Sequence, residues 1–266
     1  MDEMEHVIEV TDETFDQVVV EGSKSAPVVV DLWADWCGPC RTLGPMLEEA
    51  ATKRAGAFTL AKIDVDAQGV GNALLQAVRS QSIPTVVAFR DGQPVSMFIG
   101  AIPSDEIDRF LDSILPTDAE IEAKEAADEL ATGDVAEAEQ GFRDALAKEP
   151  DNREAALGLA KILLERGAID EARPLIMPHL PDPEAEHLHA RIEVAEWATL
   201  PADGRLGSAR HAAAHGDWTQ ALEGMIAALP EQRDDARQAL VTSFAALGDD
   251  DPLVPEFRRR LAAALF

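Results

Sequence analysis

Pro27-Val28-Val29-Val30-Asp31-Leu32-Trp33-Ala34-Asp35-Trp36-Cys37-Gly38-Pro39-Cys40 is the stretch that decides the fold of the first part of this chain. Its opening is a nearly continuous apolar run, as expected of a central strand covered on both faces. A helix should follow. Residues 38–54 carry Leu43, Met46, Leu47, Ala50 and Ala51 at helical spacing, with Pro45 as an expected kink. Cys37 and Cys40 therefore fall where a buried strand ends and a helix begins. There, free backbone N–H groups and the positive end of the helix dipole stabilise a thiolate, so the Cys37 pKa should drop below that of a free thiol. Cys37 is the expected nucleophile. Cys40, nearly one helical turn on, is placed to resolve a mixed disulfide, and Pro39 shapes the turn so that the dithiol is less strongly oxidising. Each cycle moves two electrons, and the reading includes no cofactor.

Working outward, Thr11-Asp12-Glu13-Thr14-Phe15 reads as a helix start followed by the short apolar run Val18-Val19-Val20, strand-like by composition. Phe58 to Asp66 reads as a strand ending in acidic turn residues, and Gly71 to Val78 as a helix, giving the order β-α-β-α from Pro27. Ile83 to Phe89 is then a strand, Asp91-Gly92 a hairpin turn, and Val95 to Ile99 the antiparallel return. Ser104 is expected to cap a last helix through Ile107, Phe110, Leu111 and Ile114, and Leu115-Pro116-Thr117 to end the unit. The expected architecture is α/β, a mixed sheet with helices on both faces, over residues 1–115.

This segment resembles the thioredoxin family over roughly residues 8–115, with Val29 to Arg41 matching its active-site strand and helix start. The resemblance implies an α/β thioredoxin fold and protein-disulfide oxidoreductase activity. It makes Asp31 the buried carboxylate beneath the cysteines, its pKa raised by desolvation, serving Cys40 as proton acceptor. Lys62 matches the usual charged neighbour. Ile83-Pro84 matches the family's cis-proline loop, which offers backbone hydrogen bonds to an extended client peptide. Trp36, Gly38 and Pro39 belong to the same client-facing rim, with Trp36 exposed beside Cys37. Gly92 and Gly100 match its turn and bulge glycines.

From Asp118 onward strand signals vanish and Ala, Leu, Glu and Arg dominate. A period of 34 appears: Gly133, Ala138, Phe142 and Ala145 recur as Gly167, Ala172, Ile176 and His179, and the first unit ends in Pro150-Asp151-Asn152. These are positions at which tetratricopeptide repeats place a turn glycine, small packing residues, an apolar knob and a helix-stopping proline. The pattern returns at irregular spacing at Trp197, at Gly216-Asp217-Trp218 with Ala221, Met225 and Ala228, and at Leu247-Gly248-Asp249. About three degenerate repeats are expected, in an all-α domain over residues 116–266.

Composition sets limits on partners. The chain has 266 residues and a net charge of -27, with 19 acidic and 8 basic side chains in residues 1–115 and 31 and 15 in the rest. A field of that sign repels polyanions, which argues against nucleic acid and anionic lipid and in favour of solubility, or of a self-repelling surface that holds sticky clients. The acidic opening Met1-Asp2-Glu3-Met4-Glu5 is unlike a secretory signal and no run approaches a membrane span, so a cytoplasmic location is expected. Two cysteines three apart suit a redox pair or half a zinc site, and no third cysteine exists to complete the usual zinc ligands. His179, His187 and His189 lack a partnering cysteine and His211/His215 lack a third ligand, so no metal site is expected.

A thioredoxin-like unit followed by such repeats resembles the chaperedoxins, the CnoX (YbbN) co-chaperones of bacteria. That resemblance implies binding of unfolding clients, protection of their cysteines by mixed disulfides, and delivery to GroEL and the DnaK system. A thioredoxin-reductase-like reductant would recycle the dithiol. Two other readings stay open: a general cytoplasmic protein-disulfide reductase whose repeat tail docks one partner, and a pure binding scaffold, against which the intact cysteine motif argues. At the end of the chain, Pro255-Glu256 opens a helix with Phe257, Leu261 and Leu265 at i, i+4 and i+8 beside Arg258-Arg259-Arg260. This locally basic amphipathic helix suits docking into a groove on an acidic partner, GroEL by the resemblance, or capping of the last repeat.

Overall fold

The computed structural model describes residues 6–265, so the acidic opening Met1–Glu5 and the terminal Phe266 lie outside the described residues. The chain divides into two units between Leu115 and Pro116.

In the first unit a five-stranded mixed sheet has the order β1-β3-β2-β4-β5. The strands are β1 (Val7–Glu9), β2 (Val28–Trp33), β3 (Thr59–Asp64), β4 (Thr85–Arg90) and β5 (Gln93–Ile99). β3 runs parallel to both β1 and β2, while β4 is antiparallel to β2 and to β5. The helices are α1 (Cys40–Lys53), α2 (Gly69–Ala77) and α3 (Ser104–Asp112). Alternation along the strands separates two apolar layers. Val29, Leu60, Val86 and Ala88 pack with α1 and α3 through Leu43, Leu47, Ile107 and Leu111. Val28, Val30, Leu32, Ala61, Ile63 and Val87 pack with Val19 and with Leu74 of α2 on the other side. Both layers are sealed, which is why β2 is apolar throughout except at Asp31. Asp91 and Gly92 both take positive φ (54° and 76°) in the β4–β5 turn, the conformation that favours an Asp-Gly pair in a two-residue hairpin.

Three local expectations change. Val18–Val20 is not a strand: it lies inside a helical segment, Asp16–Glu21, where only Val19 is fully buried. The edge strand is instead β1, whose three residues Val-Ile-Glu carry too short a pattern to read. Ser104 is the first residue of α3 rather than its cap; Pro103 holds the cap position and no side chain caps the helix.

The second unit is helical, with nine helices among the described residues: α4 (Asp118–Thr132), α5 (Val135–Lys148), α6 (Arg153–Glu165), α7 (Ile169–Ile176), α8 (Pro183–Glu196), α9 (Gly204–Ala214), α10 (Trp218–Ala228), α11 (Arg233–Leu247) and α12 (Leu253–Leu265). Thr117 starts α4 with a reciprocal capping box, its Oγ1 accepting from the Glu120 N–H while the Thr117 N–H donates to the Glu120 carboxylate. Helices α4/α5, α6/α7 and α9/α10 form hairpins whose turns place Gly133, Gly167 and Gly216 at positive φ. Most residues of the 34-residue period are packing residues: Ala138, Phe142, Ala145, Ala172 and Ile176 are buried, whereas His179, the counterpart of Ala145, is only half-buried in the turn after α7. Helix α8 stands between hairpins and packs against α11, which accounts for the irregular spacing of the later returns.

Candidate functional site

Cys37 and Cys40 are joined in a disulfide with their Cα atoms 5.3 Å apart. Cys40 opens α1, and its backbone N–H, one of the donors left unpaired at any helix start, donates to Cys37 Sγ at 3.2 Å. A sulfur anion at Cys37 would keep that donor and the dipole behind it. Trp36, at 67% exposure, is the most open large apolar residue in the described chain, and its Nε1 donates to Asp66 Oδ2 at 2.7 Å. The indole is therefore held by one edge while its face remains in solvent. Ile83–Pro84 is a cis bond immediately before β4. Because Leu32 of β2 pairs with Thr85 of β4, this turn lies at the same end of the sheet as the cysteines.

Behind the disulfide, Asp31 sits on the α1 side of β2, in step with Val29, and is 2% exposed. A cleft of about 390 Å³ is lined by Asp31, Cys40, Gly44, Glu48, Lys62 and neighbouring residues, so the carboxyl and the second cysteine share one cavity. Burial pushes the Asp31 pKa up to about 7; the nearby Lys62 pulls down, and Glu48 and Glu9 push up. Asp31 Oδ1 has no hydrogen-bond partner. A buried oxygen in that condition is a ready proton acceptor, since the proton would restore what desolvation removed. Lys62 opposes Asp31 directly in the β2–β3 register. Its Nζ donates to Glu48 Oε1 at 2.8 Å and lies 5.2 Å from the Trp33 ring centroid. Burial works against the Lys62 ammonium, yet its bond to Glu48 and the surrounding carboxylates hold its pKa above the ordinary lysine value.

The structure thus brings together Cys37, Cys40, Asp31 and Lys62, with Trp36, Gly38 and Pro39 in the adjoining segment and Pro84 at the same sheet end. The sequence reading missed Glu48 and Asp66. Glu48 was visible in principle, two helical turns after Cys40 on the same helix stripe, and Asp66 belongs to the acidic turn closing β3.

The C-terminal helix requires a correction. Phe257 and Leu261 do not form an open stripe: Val254, Phe257 and Leu261 are buried in a core shared with Met225, Leu240 and Phe244. They cap the array because the last hairpin would otherwise expose that apolar edge. The three arginines face outward, as do Glu256 and Ala262 to Ala264. Arg258 pairs with Asp249 at 2.6 Å, Arg260 lies 4.3 Å from the Phe257 ring centroid and 3.9 Å from Glu223, and Arg259 Nε donates to the Pro255 carbonyl. His211 and His215 stack at 6.2 Å, and each has a ring nitrogen at a backbone carbonyl. Among the described residues no group of three or more His, Cys, Asp or Glu could hold a metal ion, and no helix is long and apolar enough to cross a membrane.

Comparison with known proteins follows the same division. A thioredoxin family model matches residues 6–113, and two tetratricopeptide repeat models match residues 129–192 and 181–266. A thioredoxin of Mycobacterium tuberculosis is 45% identical over 109 residues, spanning 41% of this chain and 90% of that protein. A probable thioredoxin of Caenorhabditis elegans is 41% identical over 103 residues, 39% of this chain and 68% of that protein. An uncharacterised protein of Mycobacterium bovis is 29% identical over 279 residues, covering 98% of this chain and 86% of its own length. The pairing of the two units is thus shared with at least one relative.

Proposed function

Since the chain belongs to the thioredoxin family, we propose that it is a cytoplasmic redox co-chaperone of the chaperedoxin kind, exchanging disulfides through Cys37 and Cys40 and holding protein clients on its repeats. The observation that carries the redox half is the cleft in which a buried carboxyl with one unpartnered oxygen backs the second cysteine of a disulfide.

The chemistry starts from the dithiol. Cys37, as thiolate, attacks one sulfur of a client disulfide; the client's other sulfur leaves as a thiolate and a Cys37–client mixed disulfide forms. Asp31 then takes the Cys40 proton, and the Cys40 thiolate attacks Cys37 Sγ. The second client thiolate departs, so the client gains two electrons and the Cys37–Cys40 disulfide reforms. A dithiol reductant of the thioredoxin-reductase kind must return those electrons. Trp36, Gly38, Pro39 and the Ile83–Pro84 turn form the client rim.

The repeats supply the second half. Stacked helical hairpins offer extended surfaces for peptides, and the net charge of -27 keeps such a carrier dispersed. Transfer to GroEL and the DnaK system is part of this proposal, with any contact by α12 now confined to Arg258, Arg259 and Arg260. The test is suppression of aggregation of a thermally unfolding client by the full chain with Cys37→Ser and Cys40→Ser together. Retained suppression supports a co-chaperone; complete loss supports a general reductase with a docking tail.

A further inference from the structure

Three charged residues lie side by side across the sheet beneath α1. The register sets Glu9 of β1 against Lys62 of β3, and Lys62 against Asp31 of β2, so acid, base and acid occupy neighbouring strands. Helix α1 adds Glu48 above them. The lysine could close on either flank or upward. It goes upward and toward β1, away from Asp31: Nζ is 2.8 Å from Glu48 Oε1 and 3.6 Å from Glu9 Oε1, while Asp31 Oδ1 is left without a hydrogen bond. The choice has a physical cause. Glu48 is 42% exposed and keeps its charge hydrated, whereas pairing with Asp31 would require an ion pair inside the sheet, where desolvation can outweigh the attraction.

We propose that Glu48 is a positioning residue for the exchange reaction: by holding the Lys62 ammonium at the outer side of the cleft, it keeps that cation off Asp31 and leaves the Asp31 carboxyl free to take the Cys40 proton and give it back. This rests on the reading of Asp31 as proton acceptor. A carboxylate closed in an ion pair is a weaker base, so an ammonium released from Glu48 would blunt the resolving step near neutral pH. The other groups bordering Asp31 do not take over this task. Arg41 of α1 donates to the Asp35 carbonyl at 3.0 Å, Glu9 meets the lysine from the far side, Asp35 sits in the loop after β2, and Cys40 is the proton donor itself.

The experiment is a carbon-13 NMR titration of aspartate carboxyls in the full-length oxidised chain, with Asp31→Asn assigning the signal. In the wild type the Asp31 midpoint is expected near about 7. Glu48→Ala should lower it by about one unit, because one carboxylate is lost and one cation is set free. Glu48→Gln, the isosteric variant, should lower it in the same direction. In a Lys62→Met background the Glu48→Ala shift should shrink to less than half, since the cation it controls is gone. The optimum pH for mixed-disulfide resolution in single-turnover kinetics should follow the midpoint down. A wild-type midpoint near neutrality that both Glu48 variants leave in place or raise overturns the proposal alone, as does an equal shift without Lys62. A wild-type signal that titrates in the ordinary carboxylate range brings down the proton-acceptor reading, and this proposal with it.

Discussion

The two units differ in the kind of polar group they bury. Among the described residues of the helical unit the buried polar side chains Asn152, Thr242 and Ser243 each have a partner: Asn152 Oδ1 accepts from the Ala155 N–H at the start of α6, Thr242 donates to Glu193, and Ser243 meets Met225 Sδ. Its two unpartnered buried atoms, Glu122 Oε2 and Arg210 Nε, belong to half-buried side chains that keep another contact, Glu122 with Lys148 and Arg210 with the Trp197 ring. Its ion pairs, such as Arg153–Asp182 and Arg143–Glu171, reach solvent, where water screens them and each contributes little. In the sheet unit, Asp31 is buried with one oxygen unpartnered, beside the disulfide. A carboxyl left open in that way carries a cost that the surrounding structure must offset. What separates Asp31 from the Glu122 and Arg210 atoms is that the whole carboxyl is buried, 2% exposed, and shares its cleft with Cys40.

The sharpest way to break that contrast is to remove the reacting sulfur. Cys37→Ser should lower insulin-disulfide reduction by at least about 10³-fold, while Cys40→Ser should accumulate mixed disulfides visible on non-reducing gels, because only the resolving step is missing. Equal trapping by both variants would reverse the assigned roles. Aggregation suppression by the helical unit should survive either change.

Next in size, Phe257→Ala empties a fully buried site in the C-terminal core and should destabilise the repeat unit by about 3–5 kcal/mol in denaturant unfolding. Reductase activity should stay near wild type. A loss below about 1 kcal/mol would mean that α12 does not cap the array.

Asp31→Asn tests the open group directly and carries the opposite sign. Burial raises the native Asp31 pKa to about 7, above the ordinary aspartate value of 3.8. The native state therefore binds this proton more tightly than the unfolded chain; that stabilisation is complete below about 3.8 and is lost as pH rises through about 7. Above that range the wild type holds an uncompensated buried charge, so Asp31→Asn should be more stable at pH 8, by up to about 4 kcal/mol, and nearly equal at acid pH. Melting curves that run parallel at both pH values would show that Asp31 ionises freely.

The smallest effect is expected at the entrance to the helical unit. Thr117→Ala removes one half of the capping box and should destabilise α4 by about 1 kcal/mol, read as a lower unfolding midpoint with reductase activity unchanged.

Much of the sheet unit was legible because chemistry and pattern coincided there. The run from Val28 to Trp33 fixed a central strand, its end fixed the helix start, and the cysteines fell on that boundary. The run Val18-Val19-Val20 misled because β-branched residues favour strands only where a neighbouring strand receives them; here Val19 is buried, Val18 packs half-buried beside it, and a helical turn suffices. Thr117-x-x-Glu120 was a readable capping signal that went unread. Glu48 could be placed on the α1 stripe, but not its pairing: its partner Lys62 is brought beneath α1 by a register the sequence does not print. The α12 stripe shows a different limit. Spacing says that Phe257 and Leu261 are covered, but the same spacing serves an internal core and a foreign groove.

Helix α8 has a consequence for how the second unit can be assembled. Arrays of identical hairpins grow by nearest-neighbour addition, so folding can begin anywhere and a module can be removed without harm to the remainder. Here His187 Nδ1 meets the Ala245 carbonyl and Glu193 meets Thr242, contacts that span 58 and 49 positions, and α9 and α10 must be threaded between them. Such a bracket raises contact order and welds α8 through α11 into one cooperative block. Shortening this array by a single hairpin would leave α8 or α11 without its counterpart, so the protein lacks the modularity that repeats of this kind ordinarily grant to evolution and to engineers.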